Sequence, residues 1–324
     1  MKTIGILTSG GDCPGMNSCV RAVVRCATVH GMRVYGINRG YQGVLDGDME
    51  ILDPIKVSGI IGNGGTILRT ARCMEFKTPE GRAKAAEMLK KFGIEGLIVC
   101  GGDGSFTGAR ILSEEQGVPC VGVPGTIDND LAYTDFTLGF DTAVNTAITA
   151  IRNIVDTMSS HERVCIVEVM GRHCGDIALY SAITGGADGV IIPEQPMDLE
   201  AIAARIRKTR EIGKCANLIV LAEGCGHAEE YQVKFEKLLP EYCIRGTSLG
   251  YLLRGGSPSM YDRLFAAKAA IRAVELLLAG RSNRVIGIRN NQIIDMDIDE
   301  ALAMPKPGND ELYQAFHQLV LSEQ

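Results

Sequence analysis

The strongest constraint on the fold is an alternation of short apolar runs with helical segments along most of this 324-residue chain. The runs are apolar at nearly every position, which is typical of strands buried on both faces of a parallel sheet. The alternation therefore predicts an α/β fold with mostly parallel sheets and helices on both faces. The predicted strands are residues 4–7, 34–37, 96–100, 120–123, 164–169, 190–192, 218–222 and 285–288, and the predicted helices are residues 16–30, 80–92, 143–158, 199–211 and 265–278.

The charge and hydropathy patterns exclude several classes of partner. The formal net charge is −6, without the long basic run that is typical of nucleic-acid binders. No apolar stretch is long enough to span a membrane, and the N-terminus opens on a predicted strand rather than a signal-peptide pattern. Eleven scattered cysteines, with no Cys-x-x-Cys pair, favour reduced thiols that act as small apolar residues. We therefore expect a cytoplasmic protein with no nucleic-acid or membrane partner.

Three glycine-rich loops follow predicted strands, at residues 8–17, 101–105 and 124–130. In a parallel sheet these loops lie at the carboxyl edge, where open α/β sheets bind ligands. Glycine lets backbone N–H groups approach a phosphate, although glycine turns can also simply connect elements. The P-loop, the Gly-x-Gly-x-x-Gly fingerprint and the protein-kinase motifs are absent from the sequence. The loops therefore indicate a phosphate site of another kind.

Carboxylates in these loops are candidates for phosphoryl-transfer chemistry. Asp128 and Asp130 flank Asn129 in the third loop, and Asp103 lies in the second. Transfer to an alcohol needs a base near the hydroxyl and a cation on the phosphates. Asp103 is a candidate Mg²⁺ ligand. The alternative is that these aspartates only cap turns. Arginines suited to phosphate oxygens are Arg72, Arg163, Arg172, Arg245 and Arg254.

At this point the residues resemble the bacterial ATP-dependent 6-phosphofructokinases over nearly the whole chain. The matching segments are residues 6–12, 14–17, 101–105, 124–130, 168–172 and 254–258, with Asp262 and Arg263. The resemblance implies a fold of two similar three-layer α/β/α domains. It also implies Mg²⁺-dependent transfer of the γ-phosphoryl group of ATP to the 1-hydroxyl of fructose 6-phosphate, a step of glycolysis. The expected protein is an allosteric, cytoplasmic homotetramer.

The resemblance also implies the domains and the site residues. Residues 1–138 with about 251–300 would bind the nucleotide, and residues 139–250 with about 301–324 the sugar phosphate. Asp128 would be the base, surrounded by Thr126, Asp130 and Arg172 as catalytic residues. The implied ATP-binding residues are Gly11, Tyr41, Arg72, Cys73, Gly102, Asp103, Gly104, Ser105 and Gly108, with Asp103 on the metal. The implied sugar-phosphate residues are Thr126, Asp128, Arg163, Met170, Gly171, Arg172, Glu223, Arg245, Tyr251 and Arg254, of which Arg163 and Arg245 would reach a neighbouring subunit's substrate.

Three alternatives to this function depend on a few residues. Pyrophosphate-dependent relatives usually carry Asp where Gly104 stands and Lys where Gly125 stands, so the two glycines favour ATP. Tyr251 and Leu253 replace a histidine and a glutamine, which predicts an altered preference among sugar phosphates as a further alternative. A catalytically weak regulatory subunit would be expected to lack Asp128 or Arg172, and both are present.

The effector site implied by the resemblance is incomplete. Arg21, Arg25 and Lys214 match basic residues that bind ADP or phosphoenolpyruvate in regulated relatives, and Asp188 matches an acidic residue linked to a metal. Uncharged residues stand where further basic ones are expected, at Pro54, Val155, Ile212 and Ala216. Loss of this positive charge predicts weaker binding of polyanions and diminished effector control.

Overall fold

The computed structural model of the protein describes residues 1–320. The chain forms two compact units. Unit 1 comprises Met1–Ile127, Leu131–Thr142 and Arg254–Lys306, and unit 2 comprises Asp128–Asp130, Ala143–Leu253 and the chain from Pro307 onward. The division expected from the sequence runs to residue 324, and its last residues, 321–324, lie outside the described part of the chain.

The strands recur along the chain in the alternating order that the sequence predicts. They are β1 (Thr3–Thr8), β2 (Arg33–Ile37), β3 (Met49–Leu52), β4 (Gly96–Gly101), β5 (Cys120–Pro124), β6 (Val164–Val169), β7 (Gly189–Ile191), β8 (Asn217–Ala222), β9 (Ile244–Ser248), β10 (Arg284–Arg289) and β11 (Gln292–Asp297).

Helices lie between most of these strands. They are α1 (Met16–Val29), α2 (Tyr41–Asp46), α3 (Pro79–Lys91), α4 (Asp103–Gln116), α5 (Phe140–Ser160), α6 (Asp176–Gly185), α7 (Leu199–Glu211), α8 (Ala228–Leu238), α9 (Met260–Leu278), α10 (Ile298–Ala303) and α11 (Asp310–Leu319). Short 3₁₀ turns occur at Ile60–Gly62, Glu75–Lys77, Glu223–Cys225 and Gly250–Arg254. Among the helices of residues 1–320, none has the length and apolar character that crossing a membrane requires.

Unit 1 contains a seven-stranded sheet in the order β11-β10-β5-β4-β1-β2-β3. Its central strands pair in parallel, and only the outer pairs β2–β3 and β10–β11 are antiparallel. Every residue of β4 and β5 is buried, which explains why these strands are apolar throughout. Because β5, β4 and β1 are neighbours, their carboxyl ends lie side by side.

Unit 2 contains a four-stranded, wholly parallel sheet in the order β7-β8-β6-β9. Strands β6 and β8 are buried along their whole length, and Tyr231 and Phe235 of α8 pack in the same core. The predicted α/β class with mostly parallel sheets is confirmed in both units. All eleven cysteines are free thiols and six of them are buried, in accord with their apolar surroundings in the sequence.

Candidate active site

The three glycine-rich loops meet at the carboxyl edge of the unit 1 sheet. The Ser9 N–H donates to the Cys100 carbonyl oxygen at 2.9 Å, and the Gly125 N–H donates to the Gly101 carbonyl oxygen at 2.9 Å. Ser105 Oγ donates to Ser9 Oγ at 2.8 Å. These bonds join the loops that follow β1, β4 and β5, so the edge predicted from the β-α alternation is a single continuous surface.

Helix α4 begins inside the second loop. Asp103 is its first residue and is exposed, and Gly102 precedes it without a side-chain cap. The start of a helix carries partial positive charge on its unbonded N–H groups, so this position suits an anion. Thr126 lies beside it, because a Cβ atom built on Gly102 would be 3.8 Å from Thr126 Cβ.

An aromatic cluster supports the second loop from below. The Tyr41 hydroxyl donates to the Ser105 carbonyl oxygen at 2.6 Å, and the Tyr41 ring stacks on Phe76 with 3.9 Å between ring centroids. Gly108 packs against both rings, since a Cβ atom there would lie 3.1 Å from Phe76 Cε1. Burial raises the pKa of Tyr41 well above its usual value, so the hydroxyl stays a donor. Sequence reasoning missed Phe76.

Two predicted ATP-binding residues at this edge of the sheet are more exposed to solvent than Tyr41. Arg72 is exposed, and Cys73 is half-buried against the same apolar core as Tyr41. The chain before Arg72 is attached to the first loop, because Thr70 Oγ1 donates to the Gly10 carbonyl oxygen at 2.6 Å and Thr8 Oγ1 donates to the Arg69 carbonyl oxygen at 2.9 Å. The structure thus brings Arg72 to the same loops as the glycines.

Arg254 lies against the first glycine-rich loop of unit 1. It belongs to unit 1, and its Nη1 is 3.4 Å from the Asp12 carbonyl oxygen. A Cβ atom at Gly11 would collide with the same Nη1. Glycine at position 11 therefore makes the space in which the Arg254 guanidinium lies.

The central feature of unit 2 is a pair formed by Asp128 and Arg172. Asp128 is 2% exposed, and Arg172 Nε lies 3.3 Å from its Oδ2. The Arg172 side chain is 60% exposed, so one partner is fixed in the interior while the other reaches solvent. Arg172 has φ +53°, a left-handed conformation that residues with a Cβ rarely adopt. A buried carboxylate beside an exposed guanidinium can exchange a proton with a bound hydroxyl.

Glu223 holds the backbone that carries Arg172. Its Oε1 accepts the Gly171 N–H at 3.1 Å and the Arg172 N–H at 2.8 Å. Gly171 has φ +141°, and a Cβ atom there would collide with the Cys174 carbonyl oxygen. Met170 precedes this turn at the carboxyl end of β6 and is half-buried. The structure therefore brings Met170, Gly171, Arg172 and Glu223 together and shows what Glu223 contacts.

The residue between the two predicted aspartates is bound to α6. Asn129 Nδ2 donates to Asp176 Oδ2 at 2.8 Å, and both residues are buried. Asp130, the next residue, is half-buried. Sequence reasoning did not single out Asp176, since nothing local connects two residues that are 47 positions apart.

Arg163 and Arg245 lie at the opposite end of the unit 2 sheet. Arg163 immediately precedes β6, and Arg245 is the second residue of the adjacent parallel strand β9. Met170 follows β6, so about 20 Å of extended strand separates these arginines from Arg172. The structure therefore does not bring them to the Asp128 site of the same chain.

The two departures in the stretch before Arg254 have different surroundings. Tyr251 is 84% exposed, whereas Leu253 is fully buried. The leucine thus fills a core position, and only the tyrosine is available to a ligand.

The predicted effector residues are partly engaged with one another. In unit 2, Lys214 Nζ pairs with the buried Asp188 carboxylate at 2.6 Å. Arg21 and Arg25 lie four residues apart on α1 in unit 1 and share one helix face. Ile212 is exposed at the end of α7, and Ala216 is buried.

Glycine-rich loops at the carboxyl edge of the unit 1 sheet suit phosphate groups, and the buried carboxylate that meets an arginine in unit 2 suits proton transfer; each feature is typical of α/β phosphotransferases. The family profile of phosphofructokinase matches residues 3–277. The chain belongs to the phosphofructokinase family.

Similarity to individual proteins extends over nearly the whole chain. The chain is 55% identical over 314 residues to an ATP-dependent 6-phosphofructokinase of Clostridioides difficile (strain 630), and the match covers 97% of this chain and 98% of that protein. It is 55% identical over 313 residues to the enzyme of the same name from Clostridium botulinum (strain Loch Maree / Type A3), with the same coverage of 97% and 98%. The solved structure of phosphofructokinase from Saccharomyces cerevisiae matches with a TM-score of 0.88 and 34% identity, over 98% of this chain and 47% of that chain. This chain thus spans about half the length of the yeast chain, and the predicted phosphofructokinase-like fold is confirmed.

Proposed function

We propose that the protein transfers the γ-phosphoryl group of ATP to the 1-hydroxyl of fructose 6-phosphate, giving fructose 1,6-bisphosphate and ADP in glycolysis. The names of the two clostridial relatives, at 55% identity over nearly their full length, support this reaction. The observation that carries the chemistry is the buried Asp128 carboxylate with Arg172 Nε 3.3 Å away.

In this mechanism Asp128 acts as the general base. It accepts the proton of the 1-hydroxyl as that oxygen forms a bond to the γ-phosphorus and the bond from the γ-phosphorus to the leaving ADP oxygen breaks. Arg172 is largely exposed, so it can turn from Asp128 to the transferring phosphoryl group and stabilise its developing charge. Thr126 and Asp130 stand two positions before and two after Asp128 in the same loop, which supports their place around the reacting groups.

The nucleotide is expected at the carboxyl edge of the unit 1 sheet. Backbone N–H groups of Gly11 and of Gly102–Gly104 can approach the phosphates closely, and the start of α4 adds positive potential. Arg72 supplies a guanidinium at the same edge. Tyr41 and Gly108 support this surface from within, through their contacts with Ser105 and Phe76.

Mg²⁺ is expected beside the phosphates, on Asp103. Mg²⁺ in kinases is held by one or two carboxylates together with substrate phosphates. An exposed carboxylate at the first residue of α4 fits that requirement. When bound, the ion would neutralise charge on the phosphates.

The environment of Gly104 supports ATP as the donor. A Cβ atom at Gly104 would meet no other atom within 4 Å, and the residue is exposed on the first turn of α4. This open space lies where the larger donor is expected. A side chain there would occupy that space, as in relatives that use pyrophosphate.

Arg163 and Arg245 are proposed to bind the 6-phosphate of a substrate held by a neighbouring subunit. Their separation from Arg172 along β6 supports a role outside their own chain's site. Glu223, Gly171 and Tyr251 would contact the sugar phosphate within the chain. Sharing of sites requires an oligomer, and we expect a homotetramer, whose mass light scattering would measure. The free cysteines support a cytoplasmic location.

The test is an assay of purified protein with fructose 6-phosphate and Mg²⁺, with either ATP or pyrophosphate as donor. We expect turnover with ATP only. Asp128→Asn should keep the fold and ATP binding but lower kcat by about 100-fold or more, because a positioned base contributes that much.

Three outcomes would contradict the proposal. Turnover with pyrophosphate alone would reject the donor, and near-normal turnover of the Asp128→Asn variant would reject Asp128 as the base. Turnover of wild-type protein with other sugar phosphates, but not with fructose 6-phosphate, would reject the acceptor.

A further inference from the structure

Asn129 contacts the first residue of α6 through its side chain and the segment just before α6 through its main chain. Its Nδ2 donates to Asp176 Oδ2 at 2.8 Å, and its carbonyl oxygen lies 3.8 Å from Cys174 Sγ. Asn129 and Asp176 are only 2% and 3% exposed. A hydrogen bond from a side-chain amide to a buried carboxylate is sheltered from competing water and is stronger than the same bond at the surface. Asn129 is therefore a firmly held point in the loop.

The loop needs such a contact because of its backbone conformation. Asn129 has φ +53°, in the left-handed region of the backbone that residues other than Gly, Asn and Asp seldom adopt. Asp128 and Asp130 are its direct neighbours, so any rotation about the Asn129 backbone would redirect both carboxylates. The position of Asn129 therefore determines the direction of the proposed base.

Asp176 is itself held from a second side. Its Oδ1 accepts a hydrogen bond from Asn309 Nδ2, in the residue that precedes α11. Ligand atoms of Cys174, Asp176 and Glu194 lie within 4.8 Å of one another, a spacing that a metal ion could use. Both Asp176 oxygens accept amide hydrogens, however, and Glu194 Oε1 accepts the Gly175 N–H at 2.7 Å. These bonds point to a role for Asp176 as a hydrogen-bond anchor.

The third glycine-rich loop contacts residues 172–176 through Asp128 and through Asn129, and these two contacts differ in their exposure to solvent. The Arg172–Asp128 contact has a largely exposed arginine, which in the proposed reaction turns to the phosphoryl group. The Asn129–Asp176 contact is buried and does not involve a group that reacts. We therefore expect this buried contact to remain in place when Arg172 turns to the phosphoryl group.

We propose that Asp176 is a positioning residue for phosphoryl transfer. Through Asn129 it keeps Asp128 directed at the sugar hydroxyl after Arg172 has left the carboxylate. This inference rests on the proposed function, in which Asp128 is the base.

The test uses the variants Asp176→Asn and Asn129→Gly and the double variant. Glycine keeps the left-handed backbone of position 129 but removes the amide, and it leaves Asp176 intact. We expect each single change to lower kcat by about 10- to 100-fold, because small misplacements of a catalytic group cost that much, while KM for both substrates changes by less than about twofold. If both changes act through one contact, kcat of the double variant should be no more than about twofold below kcat of the less active single variant.

The control is Ser181→Ala, which removes a buried hydroxyl on the same helix, where that hydroxyl has no hydrogen-bond partner in the described part of the chain. It should retain kcat within about twofold. Wild-type kcat in Asp176→Asn, a rise in KM that accounts for the loss, or multiplicative effects in the double variant would overturn the inference. If Asp176→Asn does not fold, as judged by circular dichroism, Asn129→Gly alone gives the result.

Asp128→Asn measured in the same series separates the two proposals. Near-normal turnover of that variant rejects the proposed function itself. Loss of turnover in Asp128→Asn together with normal turnover in Asp176→Asn rejects only the positioning role.

Discussion

At the residue scale, two glycines that the sequence argument treats alike have different surroundings. A Cβ atom at Gly104 would meet no other atom within 4 Å, whereas a Cβ atom at Gly125 would lie 2.8 Å from Cys100 Sγ and 3.3 Å from the Gly101 nitrogen. The sulfur and the backbone belong to the buried sheet edge, so they cannot move aside easily. Gly125 is therefore required by packing within unit 1, and the argument for ATP depends on Gly104.

This difference in surroundings predicts that a substitution at Gly104 affects activity, whereas a substitution at Gly125 affects stability. Gly104→Asp should fold normally and lower kcat/KM for ATP by about tenfold or more, because a negative charge beside the phosphates costs on the order of 1–2 kcal/mol. Gly125→Lys should lower the free energy of unfolding by roughly 1–3 kcal/mol through overpacking. Urea unfolding and steady-state kinetics measure both effects.

Gly59→Asp is the matched control, since Gly59 is also exposed with no atom within 4 Å of a built Cβ. It should change neither quantity. Full ATP activity in Gly104→Asp would contradict the donor argument.

At the element scale, residue patterns predicted the fully apolar strands well and several other elements poorly, including the buried helix α6. Helix α7 matches the predicted residues 199–211, and the buried strand β6 matches residues 164–169. The outer strands β3 and β11 were not predicted, because they are only partly buried and lack a continuous apolar run. Helix α4 was also missed, because its first turn contains Gly104 and reads as a loop.

Two helix starts in unit 1 share one buried carboxylate. Asp262, in the first turn of α9, accepts the Gly139 N–H at 2.7 Å and the Thr142 N–H at 2.9 Å, and these donors lie at the start of α5. Burial raises the pKa of Asp262 to about 6, although the hydrogen bonds from Thr142 and Gly139 oppose the shift. The carboxyl therefore connects two helices and titrates above the usual range of aspartate.

This raised pKa predicts how stability depends on pH. The folded state binds the proton more tightly than the unfolded chain, so the contribution of Asp262 is fully present below pH 4 and is lost as the pH rises towards about 6. The loss is about 3 kcal/mol, since one pKa unit corresponds to about 1.4 kcal/mol. Urea unfolding of wild-type protein and Asp262→Asn between pH 4 and 7 measures it.

The difference in the free energy of unfolding between wild-type protein and Asp262→Asn separates the effect of Asp262 from that of the other carboxyl groups. Wild-type protein should lose stability relative to Asp262→Asn as the pH rises. A constant difference, or one of the opposite sign, would contradict the raised pKa.

At the scale of the whole molecule, weak effector control stays a prediction, because the residues that the family resemblance assigns to an effector site carry little positive charge. Lys214 is paired with Asp188, and Ile212 is exposed where a basic residue would be expected. A polyanion such as ADP would have to compete with Asp188 for the lysine, which weakens its binding.

We therefore predict that ADP changes the half-saturating concentration of fructose 6-phosphate by less than about twofold, because the site has little positive charge with which to bind it. Ile212→Lys adds a cation at an exposed position and should increase the response to ADP. Kinetics at fixed ionic strength, with and without ADP, measure both responses. Conversion of sigmoidal to hyperbolic kinetics in the wild-type protein would contradict the prediction.

The sequence by itself determined the fold class, the edge of the sheet that carries the loops, and the residue types at the site. These follow from local patterns, because an apolar run predicts a buried strand and a glycine-rich turn after it lies at the carboxyl edge. The family resemblance supplied the individual roles, which the tests above address.

Only the tertiary structure decided which of these residues meet. It put Glu223 on the Gly171 and Arg172 amides, Leu253 in the core and Asn129 on Asp176. Such contacts join residues that are tens of positions apart, and they depend on which loops the strand order makes neighbours. No local pattern encodes that order, because it results from the packing of the whole sheet.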